Sequence, residues 1–448
     1  MNKLIWLIIV IFTGVGCSRN RTAVPTPVPT ISFNAVPAVA VSIPQESALA
    51  RPYGYTYQRT DGNRVVAGQG NVPNLTPIDI LLDGTPQWVT AVPLAQGVLW
   101  GVVLADGRTQ AFLVNNGEVT PIASNDLTPA IAPVLTVDPV QGQALFLNPP
   151  SADPAGSAPI IYNNAGHLAH TNAAGELTLV NAGEIIGQPP ITALPDARIL
   201  FDGHGRLLLL TDPTGRYPHG VLGDSIEAGG FALIQTDPEI KVIAHFLIPE
   251  PQVVEGIMPL WADWNGDGQR EILLTLSDAE QGAQLVLFSE AGVRLAAGPA
   301  IGQGNRWRHQ IAIAPFGPNG EMELTAVRTP HLESTVEFYR WQGNALQLVA
   351  QLPGYTSHSI GSRNLDMAMA GDFNGDGRME LLLPTAGLNQ LGGIQRTNEG
   401  ATTVYHLGIG GKLASNLAGV AMGDGHRDDG NTAVGLGRTD NVLRIWQP

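Results

Sequence analysis

The chain has 448 residues, enough for two or three ordinary domains or for one large all-β domain built around a single core. Glycine (53) and proline (34) are abundant while charged residues make up only 14%, which argues against long solvated helices and for frequent turns. A formal net charge of -15 opposes a phosphate backbone, so nucleic acid is not an expected partner; an excess of carboxylates suits solubility and cation binding.

The first residues, Met1-Asn2-Lys3 and an apolar run ending at Gly16, have the form of a secretory signal. The run is shorter than the roughly 20 apolar residues that cross a bilayer. Cys17, the single cysteine, follows directly. Gly16-Cys17 resembles the lipobox of bacterial lipoproteins, with Gly14 standing where that pattern usually carries leucine. The resemblance implies that residues 1–16 are removed and that Cys17 is lipidated, anchoring the protein to the extracytoplasmic face of a membrane. Residues 17–52 are rich in Ala, Val, Thr and Pro, with Pro25-Thr26-Pro27-Val28-Pro29 near the start, and read as a semi-rigid polyproline spacer. Residues 53–448 are then the folded body.

That body repeats itself about every fifty residues. Trp261-Ala-Asp-Trp-Asn-Gly-Asp-Gly-Gln-Arg-Glu-Ile-Leu-Leu-Thr275 matches Ala370-Gly-Asp-Phe-Asn-Gly-Asp-Gly-Arg-Met-Glu-Leu-Leu-Leu-Pro384. Residues 314–326 repeat the frame with most acidic positions lost, and a fainter copy around Asp424, His426 and Asp428 lacks the glycine at position 6. Short β-branched runs such as 271–276, 284–288 and 293–296 follow, separated by glycine turns. Asp106-Gly107 and Asn116-Gly117 mark hairpins upstream. Four short strands per unit predict an all-β fold, a β-propeller of seven blades with six or eight left open. The units fall near 88–126, 129–187, 189–251, 255–301, 306–358 and 363–419. A seventh combines 420–448 with about 53–83, so that strands from both termini close the ring and no edge is left bare.

Each intact loop sets oxygen-bearing side chains at positions 1, 3 and 5: Asp263, Asn265 and Asp267 in one, Asp372, Asn374 and Asp376 in the other. Gly268 and Gly377 supply the sharp turn at position 6. Gln269 and Arg378 offer backbone carbonyls at position 7, and Glu271 and Glu380 add carboxylates at position 9. Six to eight hard oxygens without thiolate or imidazole suit calcium, giving two expected Ca2+ sites. These loops resemble FG-GAP or VCBS repeats, the calcium-bearing blades also found in integrin α-subunit propellers, over about residues 255–434. The resemblance implies calcium clasped in strand-connecting hairpins, on proteins concerned with adhesion or ligand binding. Glutamate at position 9 departs from the integrin-type aspartate. Calcium at such a turn is scaffolding rather than a reaction centre.

The sequence has no Gly-x-Ser-x-Gly elbow, no His-Glu-x-x-His pair and no Gly-Lys-Ser/Thr phosphate loop. The expectation is therefore a non-catalytic binding module for an extracellular protein or glycan. The alternative is an exported enzyme, because Arg198 to Asp212 resembles a blade hairpin of soluble quinone-dependent sugar dehydrogenases, a likeness of about fifteen residues that assigns no cofactor ligand. Trp264, Trp307, Tyr339 and Trp341 read as core packing before sugar platforms.

Overall fold

A computed structural model describes residues 30–31, 55–56 and 59–448, apart from 128–131, 138–142, 148, 150, 164 and 423–429. The signal segment, Cys17, almost all of the spacer and the Asp424 loop lie outside the described residues. The protein is all-β, with two single 3-10 turns, Val72–Asn74 and Gly220–Leu222, as the helical segments among the described residues. None of the described helical segments is long and apolar enough to cross a membrane.

Seven runs of four antiparallel strands follow the chain. The first is Pro86–Leu94, Gly97–Leu104, Thr109–Asn115 and Glu118–Ile122. Its last hairpin turns at Asn116 and Gly117, both at positive φ (48° and 80°), as the Asn-Gly pair requires. The second runs from Ile160–Ile161 to Glu184–Gly187. The next three, starting at Leu200–Phe201, Leu260–Ala262 and Arg308–Ala314, are joined edge to edge through Val253–Val254 and one parallel pair, Ala297 with Ala345. The sixth spans Met369–Asp372 to Gly400–Gly408. A smaller sheet of Val134–Val137, Ala144–Leu147 and Tyr55–Thr56 packs against the first run, so the single unit expected at 129–187 is divided between this sheet and the four strands from Ile160–Ile161 to Glu184–Gly187.

The seventh run joins the termini. Leu413–Ala421, Thr432–Arg438 and Val442–Trp446 are completed by Ile78–Leu81, which pairs antiparallel with Val442–Trp446. The boundary expected at 419–420 therefore moves to the glycine cluster at 408–411, because Leu413–Ala421 is the first strand of this sheet and not the end of the preceding one. Nor does the 53–83 segment act as a unit. Val65–Gln69 pairs in parallel with Met369–Asp372 of the sixth run, and Tyr55–Thr56 with Val134–Val137.

Period-two side chains explain the stacking. In Glu271–Ser277, Ile272 and Leu274 enter the core shared with the preceding sheet, while Leu273 enters the core shared with the next. Leu381 and Leu383 likewise face one neighbour and Leu382 the other. The terminal sheet packs Leu443 and Ile445 against Val89 and Trp100 of the first run. Trp264, Trp307 and Tyr339 are buried in these cores, and Trp341 is half-buried.

A short segment before Val65 ties the sheets together at their inner strands. Thr60 O accepts from Phe201 N–H (2.7 Å), Asp61 O from Trp261 N–H (3.0 Å) and Arg64 O from Ala370 N–H (2.8 Å). Asn63 exchanges two hydrogen bonds with the backbone of Ile313 (2.9 and 2.8 Å), and Arg59 donates to Gly419 O (2.8 Å). Five sheets are thereby bridged by six residues. Gly62, at φ +72°, passes so close that a Cβ would stand 2.4 Å from Pro259 O.

Candidate metal centre

Both acidic loops follow the first strand of their sheet and enter the second. Their backbones are organised alike by local acceptors. Asp263 Oδ1 accepts from Gly266 N–H (2.7 Å) and Oδ2 from Gly268 N–H (2.9 Å). Asp372 accepts from Gly375 (2.8 Å) and Gly377 (3.0 Å) in the same manner. Asn265 and Asn374 accept from the N–H of Asp267 and Asp376 (2.9 and 2.8 Å). Gln269 and Arg378 donate their N–H groups to Asp267 and Asp376 (2.8 and 2.9 Å). Gly268 and Gly377 sit at φ +85° and +80°, the turn that a side chain would oppose. Glu271 and Glu380 reach back to accept from Trp264 and Phe373 N–H, each at 2.8 Å.

The loops differ in how far the carboxylates converge. Asp372, Asp376 and Glu380 bring ligand oxygens within 4.8 Å of one another, the one such trio among the described residues. Asp263, Asp267 and Glu271 do not meet that spacing. The cause lies across the strand pair. Gln395, opposite Glu380 in register, donates to both Asp376 Oδ2 (2.9 Å) and Glu380 Oε1 (3.0 Å). Arg378 holds it from behind through Gln395 Oε1 (2.8 Å). Opposite Glu271 the residue is Ser289, too short to bridge, and Asp267 Oδ2 is taken instead by the Asn265 amide (3.0 Å).

The trio is electrostatically loaded. Burial, then the Asp376 and Asp372 carboxylates, push Glu380 up to about 7. Burial and the Asp267 and Asp263 charges raise Glu271 in the same direction. The Tyr405 phenol is raised by burial and by the charges of Glu380, Asp372 and Asp376, yet its buried hydroxyl has no hydrogen-bond partner. Convergent carboxylates beside an unsatisfied hydroxyl, with no sulfur or imidazole among them, fit a hard cation.

The third copy meets its charge by another means. Glu323, equivalent to Glu271 and Glu380, pairs with Arg340 (2.6 Å) and Arg396 (2.9 Å), so two guanidinium groups stand where the other loops gather acids. Around the hairpin expected to be similar to sugar dehydrogenases, Asp202 accepts from His204 N–H (2.7 Å) and from Arg206, which also grips Glu290 (2.7 and 3.0 Å). Those groups organise a turn. No protein-family model matches the chain, and no curated protein matches it.

Proposed function

We propose that this protein is a β-propeller of seven four-stranded blades and one three-stranded blade, calcium-stabilised and held outside the cytoplasm by a lipid on Cys17, that binds an extracellular protein or glycan without catalysing a reaction. The observation that carries the metal reading is the convergence of Asp372, Asp376 and Glu380. Four-stranded runs that share cores with their neighbours, the last completed by a strand from near the N-terminus and packed on the first, support the propeller, with the three-stranded sheet set between the first and second runs in chain order. Asn374 and the Arg378 carbonyl complete the ligand set at that loop. Asp263, Asn265, Asp267, Gln269 and Glu271 form a second, weaker site that needs Asp267 to leave the Asn265 amide. The ion neutralises the loop and fixes the hairpin.

Extracellular modules hold calcium at about 10⁻⁴ to 10⁻³ M. At roughly thirty times Kd, one site adds about 2 kcal/mol. Millimolar calcium should therefore raise Tm, and magnesium should do so poorly because it demands a smaller octahedral cage. Asp376→Ala should remove most of the shift, Asp267→Ala a smaller part, and the double variant nearly all. Calorimetry that detects no calcium uptake, or an undiminished shift in the double variant, refutes the metal reading. Glycan-array and surface-protein binding, with and without a chelator, tests the binding role. For the anchor, Cys17→Ser should abolish labelling by a palmitate analogue; equal labelling of wild type and variant overturns it.

A further inference from the structure

At the ends of the inner strands opposite the acidic loops, the chain builds a cleft from residues that open five of the sheets. Trp88 lies near the start of Pro86–Leu94 and Ala414 near the start of Leu413–Ala421, and Arg198, Ile257 and Arg363 precede the first strands of three others. Two rooms meet at Trp88 and Arg363. The inner one, of about 30 Å³, is lined by Asp196, Ser157 and Ile257. The outer one, of about 570 Å³, is lined by Gln87, Asp224, Ser362 and Asn364.

The cations of this cleft are committed to the protein. Arg363 donates to Pro154 O (2.6 Å) and Gly156 O (3.3 Å). Arg198 donates to Asp366 (2.7 Å) and to Arg363 O (3.0 Å). Asp153 braces its own loop through Ala155 and Ala173 N–H (2.9 and 3.1 Å). Asp196 is different. It is only 8% exposed and, among the described residues, receives no hydrogen bond from any residue but itself. Burial and the nearby Asp224 carboxylate push it up to about 6, an effect that the Arg363 and Arg198 guanidinium groups offset only in part.

We propose that this cleft binds a primary ammonium group carried on an alkyl stem. The head enters the inner room beside Asp196, Asp224 adds a second negative charge at the mouth, and the stem lies along Trp88 and Ile257. The inner room holds about one or two water-sized groups, which admits an ammonium and excludes the broader guanidinium. A divalent cation is disfavoured, since Asp196 and Asp224 belong to no oxygen trio of the kind at Asp372. The inference rests on the interaction reading only for what presents the amine, a lysine side chain of a partner or a free diamine.

The test is calorimetric titration of the full-length protein, in saturating calcium, with 1,5-diaminopentane, a Gly-Lys-Gly peptide and the same peptide acetylated on lysine. At least one of the two amine probes should saturate with Kd tighter than about 1 mM and weaken with salt. Asp196→Asn should weaken that binding at least about tenfold, and exposed Asp224→Asn by a smaller factor. Diamine binding alone assigns a small-molecule source and peptide binding alone a protein source; both support the site. The proposal is overturned if neither amine saturates, if the acetylated peptide binds as well as the free one, or if either variant binds like wild type. An unchanged calcium shift in Asp196→Asn shows that the variant is folded, and it separates failure here from failure of the metal loops.

Discussion

Deletion of residues 442–448 should abolish cooperative unfolding and leave an aggregating chain. Val442, Leu443, Arg444, Ile445 and Trp446 are all buried. Leu443 and Ile445 fill the core against the first run, and Trp446 the core against the sixth. At about 1.5–3 kcal/mol for each large apolar side chain, four of them approach the whole stability of an ordinary domain. The deletion also strips Ile78–Leu81 of its antiparallel partner and bares two strand edges. Gln447 leaves as well, and with it the acceptor for the buried Trp100 indole N–H (2.9 Å). Size-exclusion chromatography and far-UV circular dichroism melts would read the outcome. A soluble monomer melting within a few degrees of the full chain would show that the terminal strand does not close the fold.

Asp366→Ala should cost about 3–5 kcal/mol, the toll of stranding buried charge. Asp366 lies between two guanidinium groups, Arg64 Nε at 3.1 Å and Arg198 Nη1 at 2.7 Å, and all three side chains are no more than 5% exposed. Removing the carboxylate leaves two cations buried. Arg64 keeps the carbonyls of Gln310 and Ile311 (both 3.1 Å), which satisfy its donors without neutralising it. Asp366→Asn retains the shape and should lose less. Denaturant midpoints with an unchanged slope measure the difference. A loss under about 1 kcal/mol for Asp366→Ala would mean that water reaches both arginines.

What was readable from the sequence follows the range of the interactions. The acidic loops were legible because their bonds close within nine residues: Asp263 reaches Gly268, and Glu271 reaches Trp264. The strand at 271–276 was legible from its unbroken apolar run, Ile272, Leu273 and Leu274, and the structure buries it on both faces. Gln395 was not legible, since nothing in its own neighbourhood marks it; it matters because strand register sets it opposite Glu380. The arginines on Glu323 were hidden for the same reason, Arg396 coming from the following sheet. Residues 59–64 look like an ordinary polar turn, and their partners lie as far as 360 residues away. The boundary expected at 419–420 cuts through the first strand of the terminal sheet, Leu413–Ala421, whereas the backbone leaves the preceding strand after Gly408 and turns at Gly410 and Gly411.

The pairing of Ile78–Leu81 with Val442–Trp446 also fixes an order of events during synthesis. Asp79 receives hydrogen bonds from Arg444, 365 residues later in the chain. At roughly 5–20 residues per second, about 20–70 s separate the emergence of the two. For that interval Ile78–Leu81 lacks its antiparallel partner and has only the two-residue parallel strand Thr30–Ile31 beside it, and residues 59–64 wait for Trp261, Ile313, Ala370 and Gly419 in turn. The terminal sheet therefore cannot be completed before the last residues are made. For the exported protein proposed above, this delay would keep the terminal sheet open while the chain crosses the membrane in extended form.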